Sequence, residues 1–266
     1  DTGTFRYVGR SDGTTHDITD NFVINAVPLA VFDELIIDEA VPGATPDTFT
    51  IGTSLAVTTD ATFTRGSVVI GAGQMFAVSG TTTINGAAVD AVVVNAEAGS
   101  MDLNDFVLSG GSFSAPDTAL TFTVSGDFTR SGGTFDPNEG TVVFDGVDQS
   151  IYTGAAGQVA FYGLSKQAAG PDTFTFEAGD TFWVSHQLIL TGVDEDTLLN
   201  IDSSVYGSTA FLNLATGGIQ NIQNVYVSDN NADGGLLLVG QGINSDGIRT
   251  SNWLFGSDPA DLEWDG

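Results

Sequence analysis

Ser109-Gly110-Gly111-Ser112-Phe113 returns further along the chain as Ser131-Gly132-Gly133-Thr134-Phe135. A unit of roughly 20 residues, the spacing between the two, holds two or three short strands, enough to wind one coil but too little to bury its own apolar face. Two further echoes agree. Phe63-Thr64-Arg65 recurs as Phe128-Thr129-Arg130, a distance near three such units, and Pro46-Asp47-Thr48-Phe49-Thr50 recurs as Pro171-Asp172-Thr173-Phe174-Thr175. The repetition predicts an all-β chain: a right-handed parallel β-helix, or solenoid, of roughly 20-residue coils. Coils are expected to begin near Ser54, Met75, Ser100, Leu120, Thr141 and Val159.

The runs between the repeats have the alternation such coils require. Thr62-Phe63-Thr64, Phe76-Ala77-Val78, Leu120-Thr121-Phe122-Thr123-Val124, Thr141-Val142-Val143-Phe144, Thr173-Phe174-Thr175-Phe176 and Phe182-Trp183-Val184 read as strands, each bounded by Gly, Asn, Asp or Ser. Stacking places Phe, Val, Leu and Ile inward and leaves Thr, Ser and Asp to water. The 34 glycines suit many tight corners better than they suit helices. Tandem antiparallel β-sandwiches would also use short strands at regular spacing, but the repetition here is of sequence as well as spacing.

The segment Ser125-Gly126-Asp127-Phe128-Thr129-Arg130-Ser131-Gly132-Gly133-Thr134-Phe135, followed by Gly140-Thr141-Val142-Val143-Phe144-Asp145-Gly146, resembles the coil repeats of secreted bacterial parallel β-helix surface proteins of the adhesin type. The stretch from Val225 through Asp229-Asn230-Asn231-Ala232-Asp233-Gly234 to Asn252-Trp253-Leu254-Phe255-Gly256 is similar to their last coils. The resemblance runs from about Thr48 to Gly256. It implies architecture and a surface role, with no shared catalytic set to carry over.

Three segments follow: 1–45 as an N-terminal cap or subunit-docking piece, 46–256 as the β-helix, and 257–266 as an acidic tail. In the first, Thr4-Phe5-Arg6-Tyr7-Val8 is strand-like, and Leu29 to Asp38 reads as a short capping helix or another strand. A solenoid ends in open strand edges that pair with any edge they meet, so this segment either covers an end or docks on a neighbour.

Charge excludes whole classes of partner. Six basic residues against 34 acidic give a net charge of −28, so phosphate backbones and anionic membranes find no cationic surface. The chain has no cysteine, hence no disulfide or thiolate site, and no apolar run long enough to span a bilayer. It opens at Asp1 without a basic leader, which fits a secreted form after signal removal or a deliberately trimmed chain. An extracellular or cell-surface location is expected. No Asn-x-Ser/Thr acceptor occurs.

The chemical candidates are few. Asp229, Asn231 and Asp233, followed by Gly234, fit the spacing D-x-N-x-D-G that converges oxygens on calcium, with Asp246 as a completing ligand. Position 12 of that loop is Gly240 rather than Glu, which removes the EF-hand, and an Asx-rich turn is the plainer reading. Asp194-Glu195-Asp196 with Asp202 is a second acidic cluster. The two histidines, His16 and His186, would need carboxylates to hold zinc, and His186 reads as an outward strand residue. Neither a G-x-S-x-G elbow nor a nucleotide loop is present. The Thr-x-Thr elements that begin at Thr48, Thr62, Thr81, Thr121 and Thr173 read as the wet face of strands, the middle residue being usually an inward Phe.

The expected function is an extracellular, non-enzymatic structural protein that assembles with identical subunits, end to end, into a filament or surface layer. Two alternatives stand beside it. A glycan-binding adhesin would present an exposed aromatic platform from Trp183, Tyr206 or Trp253, and a β-helix polysaccharide hydrolase would place two carboxylates across a glycosidic bond.

Overall fold

A computed structural model of the chain describes residues 3–7, 15–17, 30–38, 47–86, 93–96, 98–117, 120–241 and 245–256. Every ladder between the named strands within each of its two compact units, Asp1–Gly140 and Thr141–Gly266, is parallel. Two facing antiparallel sheets are therefore ruled out. The one helical element among the described residues is a 3-10 turn, Gly154–Ala156.

The first unit winds as β1 (Thr4–Tyr7), β2 (Thr15–Asp17), β3 (Ala30–Phe32), β4 (Glu34–Ile37), β5 (Thr48–Ile51), β6 (Leu55–Val57), β7 (Ala61–Phe63), β8 (Ser67–Ile70), β9 (Met75–Asn85), β10 (Val93–Asn95), β11 (Ser100–Gly110), β12 (Ser112–Ser114), β13 (Phe122–Val124), β14 (Phe128–Arg130) and β15 (Thr134–Asp136). These stack as three faces. One runs β3, β6, the first half of β9, the first half of β11, then β13. A second runs β1, β4, β7, the later halves of β9 and β11, then β14. The third runs β2, β5, β8, β10, β12, β15. Leu29 to Asp38 thus supplies strands β3 and β4 rather than a helix, and the described part of 1–45 adds to the coils.

The second unit contains β16 (Thr141–Phe144), β17 (Gln149–Tyr152), β18 (Gln158–Gln167), β19 (Asp172–Phe176), β20 (Thr181–Thr191), β21 (Leu199–Ser203), β22 (Ala210–Leu214), β23 (Ile219–Gln223), β24 (Val225–Val227), β25 (Asn230–Asn231), β26 (Leu238–Gln241), β27 (Ser245–Asp246) and β28 (Trp253–Phe255). It too has three faces, running β18–β20–β22–β25, β16–β18–β20–β23–β26–β28 and β17–β19–β21–β24–β27.

Side chains alternate as the sequence pattern requires, with Phe49, Val68, Val94, Phe113 and Phe135 occupying one inward column of the third face. Phe106 lies 5.0 Å from Phe113 and 4.9 Å from Phe128, ring centre to ring centre, so rings from different faces meet in the interior. Such stacks add about 0.5–1.5 kcal/mol per pair beyond the area they bury.

The Ser-Gly-Gly echo is a true register step, since Ser112 pairs with Thr134 and Phe113 with Phe135. The Phe-Thr-Arg echo is not. Ala61 lies beside Thr82, Thr82 beside Phe106 and Phe106 beside Phe128, so the column that ends in Phe128 begins at Ala61. Phe63 instead shares the column of Ile84, Leu108 and Arg130, further along the same face. From Ala61 to Phe63 the chain passes one outward residue and returns to the inward side, which is why the sequence tolerates the displacement. Coil length is also less uniform than the repeat predicts. Leu238 is in register with Trp253, whereas Leu188 is in register with Gln220, more than twice as far along the chain. Corners absorb the difference, because only the strands must stay in register.

Candidate functional site

Asp229 begins the proposed calcium loop, and its carboxylate faces a cation of the protein's own. It is 2 % exposed and forms a two-point ion pair with Arg249, whose Nε donates to Oδ1 and whose second nitrogen donates to Oδ2 at 2.8 Å. The Gly207 amide donates to the same Oδ2 at 2.9 Å. Arg249 in turn sits 4.6 Å above the ring of Tyr206. Hydrogen bonding from Arg249 holds the Asp229 carboxyl below the usual carboxylate range, against the opposing effect of burial. Three corners, at Tyr206, Asp229 and Arg249, are clamped together by this cluster.

Asn231 and Asp233 do come together, as a turn. The Asp233 amide donates to Asn231 Oδ1 at 2.7 Å, Asn231 Nδ2 donates to Asp233 Oδ2 at 3.0 Å, and Ser251 Oγ donates to Asp233 Oδ1 at 2.7 Å. This is Asx-turn chemistry tied to the next coil. Asp246 lies in β27, and its side chain falls outside the described residues. In the second cluster, Asp194 accepts the Asp196 amide at 3.1 Å in an exposed turn, while Asp202 accepts Ser228 Oγ. Among the described residues no three His, Asp or Glu side chains gather at metal-ligand spacing.

His186 stacks on Tyr162 with ring centres 4.6 Å apart, on the outer surface of β18 and β20. Trp183 is outward and half-buried on β20, in register with Ala160 and Asn213, while Phe211 is outward on β22. Tyr206 is 81 % exposed at a corner. Trp253 is half-buried on β28 and lies 5.9 Å from Phe255. The side chain of His16 lies outside the described residues.

Two polar clusters were not singled out by sequence reading. Lys166, the only lysine, is fully buried in an inward column between Phe144 and Leu190. Its ammonium donates to Asp172 Oδ2 at 2.7 Å, to Gln149 Oε1 at 2.9 Å and to the Gly146 carbonyl, which satisfies all three N–H bonds. The signal was the odd register: alternation puts Lys166 inward with Leu164, a position where lysine needs a buried acid. The second cluster is Glu177 with Asp180. Glu177 Oε2 accepts the amides of Thr153 and Gly154 at 2.6 and 2.7 Å, and Asp180 accepts Thr153 Oγ1. Burial pushes the Asp180 carboxyl up, the Thr153 hydrogen bond opposes, and the adjoining Glu177 carboxyl pushes it further up.

A shallow groove of about 270 Å³ lies across β9, β11 and β13, lined by Ala77, Val78, Ser79, Asp102, Leu103, Asn104 and Ser125. It is smaller than an ordinary ligand pocket. No helix among the described residues is long and apolar enough to cross a membrane. No family model, curated protein or solved structure matches the chain.

Proposed function

We propose that the protein is an extracellular structural subunit that assembles with copies of itself, end to end, into a filament or surface layer. The observation that carries this reading is the ladder itself. Within each unit the coils are parallel, and in the described residues β1 and β2 pair on one side only, with β4 and β5, while β27 and β28 pair only with β24 and β26. Unpaired strand edges are adhesive toward other edges. The net charge of −28 sets the conditions, since subunits repel until salt or a divalent cation such as calcium screens them. Negative-stain microscopy across salt and calcium, with and without EDTA, tests the reading. Filaments or layers are expected once charge is screened, and a monodisperse monomer under every condition contradicts it.

A second reading, a glycan-binding adhesin, is favoured by one observation, the outward run of Phe211, Trp183 and the stacked Tyr162 and His186 across three neighbouring strands. Aromatic faces pack against sugar rings, and the acidic surface restricts the ligand to neutral or cationic glycans. Trp183→Ala would then abolish retention on a neutral glycan array.

A further inference from the structure

Each unit is a parallel ladder, so the first described coil and the last described coil expose opposite edges of the same kind of sheet. An edge of the first coil matches an edge of the last coil, because adding one to the other continues the parallel pairing already present between coils. Two first coils facing each other cannot do so: they meet with their strands and their winding opposed. Resting on the reading of the chain as a polymer subunit, we propose that the polymer is polar, the first coil of one copy seating on the last coil of another copy in a heterologous, open joint.

The side chains at the two ends fit this occupant. In β1, Phe5 alternates with exposed Thr4 and Arg6 and stacks on Phe32 at 5.2 Å, the first aromatic layer among the described residues. In β28, Trp253 and Phe255 lie in the inward columns below Leu238 and Gly240, with rings parallel to within 1°, while Leu254 is outward and 40 % exposed. Inward aromatics deeper in the coils, such as Phe63, Phe106 and Phe174, are 0 % exposed, whereas Phe5, Trp253 and Phe255 are half-buried. Among the described residues, both places therefore carry half-covered inward rings that another coil would finish covering. A second copy supplies backbone edge, inward aromatic and parity in one surface, which a glycan or an unrelated globular partner does not.

The joint is tested by blocking one end at a time. Phe5→Asp disables the first coil and Phe255→Asp the last, and each variant is checked for native circular dichroism and melting. Arg6→Pro and Trp253→Pro repeat the block through backbone N–H groups that face away from β4 and β26. In screening salt, analytical ultracentrifugation is expected to show long polymers for the unaltered chain and monomers for each variant alone. An equimolar mixture of the two variants is expected to stop at a species of twice the monomer mass. Dimers formed by one variant alone, or variants that polymerise like the unaltered chain, overturn the polar joint while leaving a polymer. An unaltered chain that stays monomeric overturns both.

Discussion

Gly126 and Gly132 are required by what stands beside them. A Cβ on Gly132 would lie 2.4 Å from the Ser109 carbonyl oxygen, and one on Gly126 would lie 2.1 Å from Asp105 Oδ1. The first neighbour is backbone of the adjacent coil. The second is the tip of a side chain whose Oδ1 accepts the Asp127 amide at 2.8 Å. Gly132→Ala is expected to cost the more, forcing two coils apart, and Gly126→Ala about 0.5–1.5 kcal/mol from a lost part-buried hydrogen bond. Thermal melts of the two variants check the order. Titration separates two acids in the same way. The Asp229 carboxyl sits below its usual range, so it binds fewer protons folded than unfolded, and its stabilisation is lost as pH falls through the folded value. Asp180 sits above its usual range, so the folded chain holds the extra proton and stability declines as pH rises from about 4 through the raised value. Asp180→Asn should flatten that decline and Asp229→Asn should flatten the acid-side loss, both readable from melting midpoints against pH.

At the scale of elements, the buried Lys166 cluster holds the turn from β18 into β19. Lys166 is the penultimate residue of β18 and Asp172 the first of β19, and the Asp148 amide donates to the other Asp172 oxygen at 2.8 Å. Removing one partner leaves a buried charge, so Lys166→Ala should cost about 3–5 kcal/mol, while the paired change Lys166→Met with Asp172→Leu should recover most of it. Denaturant melts of the single and double variants give the coupling directly. Strands were legible in the sequence where apolar and polar residues alternate, as at Thr173-Phe174-Thr175-Phe176, whose phenylalanines are both buried. The register step from Phe113 to Phe135 was legible because the Ser-Gly-Gly before each sits at a corner where bulk is excluded. Coil lengths were not, since corners accept insertions at little cost and carry no periodic signal. The ion pair of Asp229 with Arg249 was illegible for a different reason: the partners stand far apart in the sequence, and only the winding brings their corners together.

For the whole molecule, the acidic surface and the open ladder edges oppose each other. Net charge of −28 favours separated subunits at low salt, and edge pairing favours association once the Debye length falls to about 10 Å or less. Assembly followed by light scattering should therefore rise with ionic strength. If subunits join coil on coil, the strands at each joint lie across the joining direction, with the parallel spacing of about 4.8 Å repeated along it. Diffraction from aligned polymers reads that spacing. A meridional reflection near about 4.8 Å is the result this account predicts, and polymers whose strand spacing falls on the equator, or is absent, would contradict it.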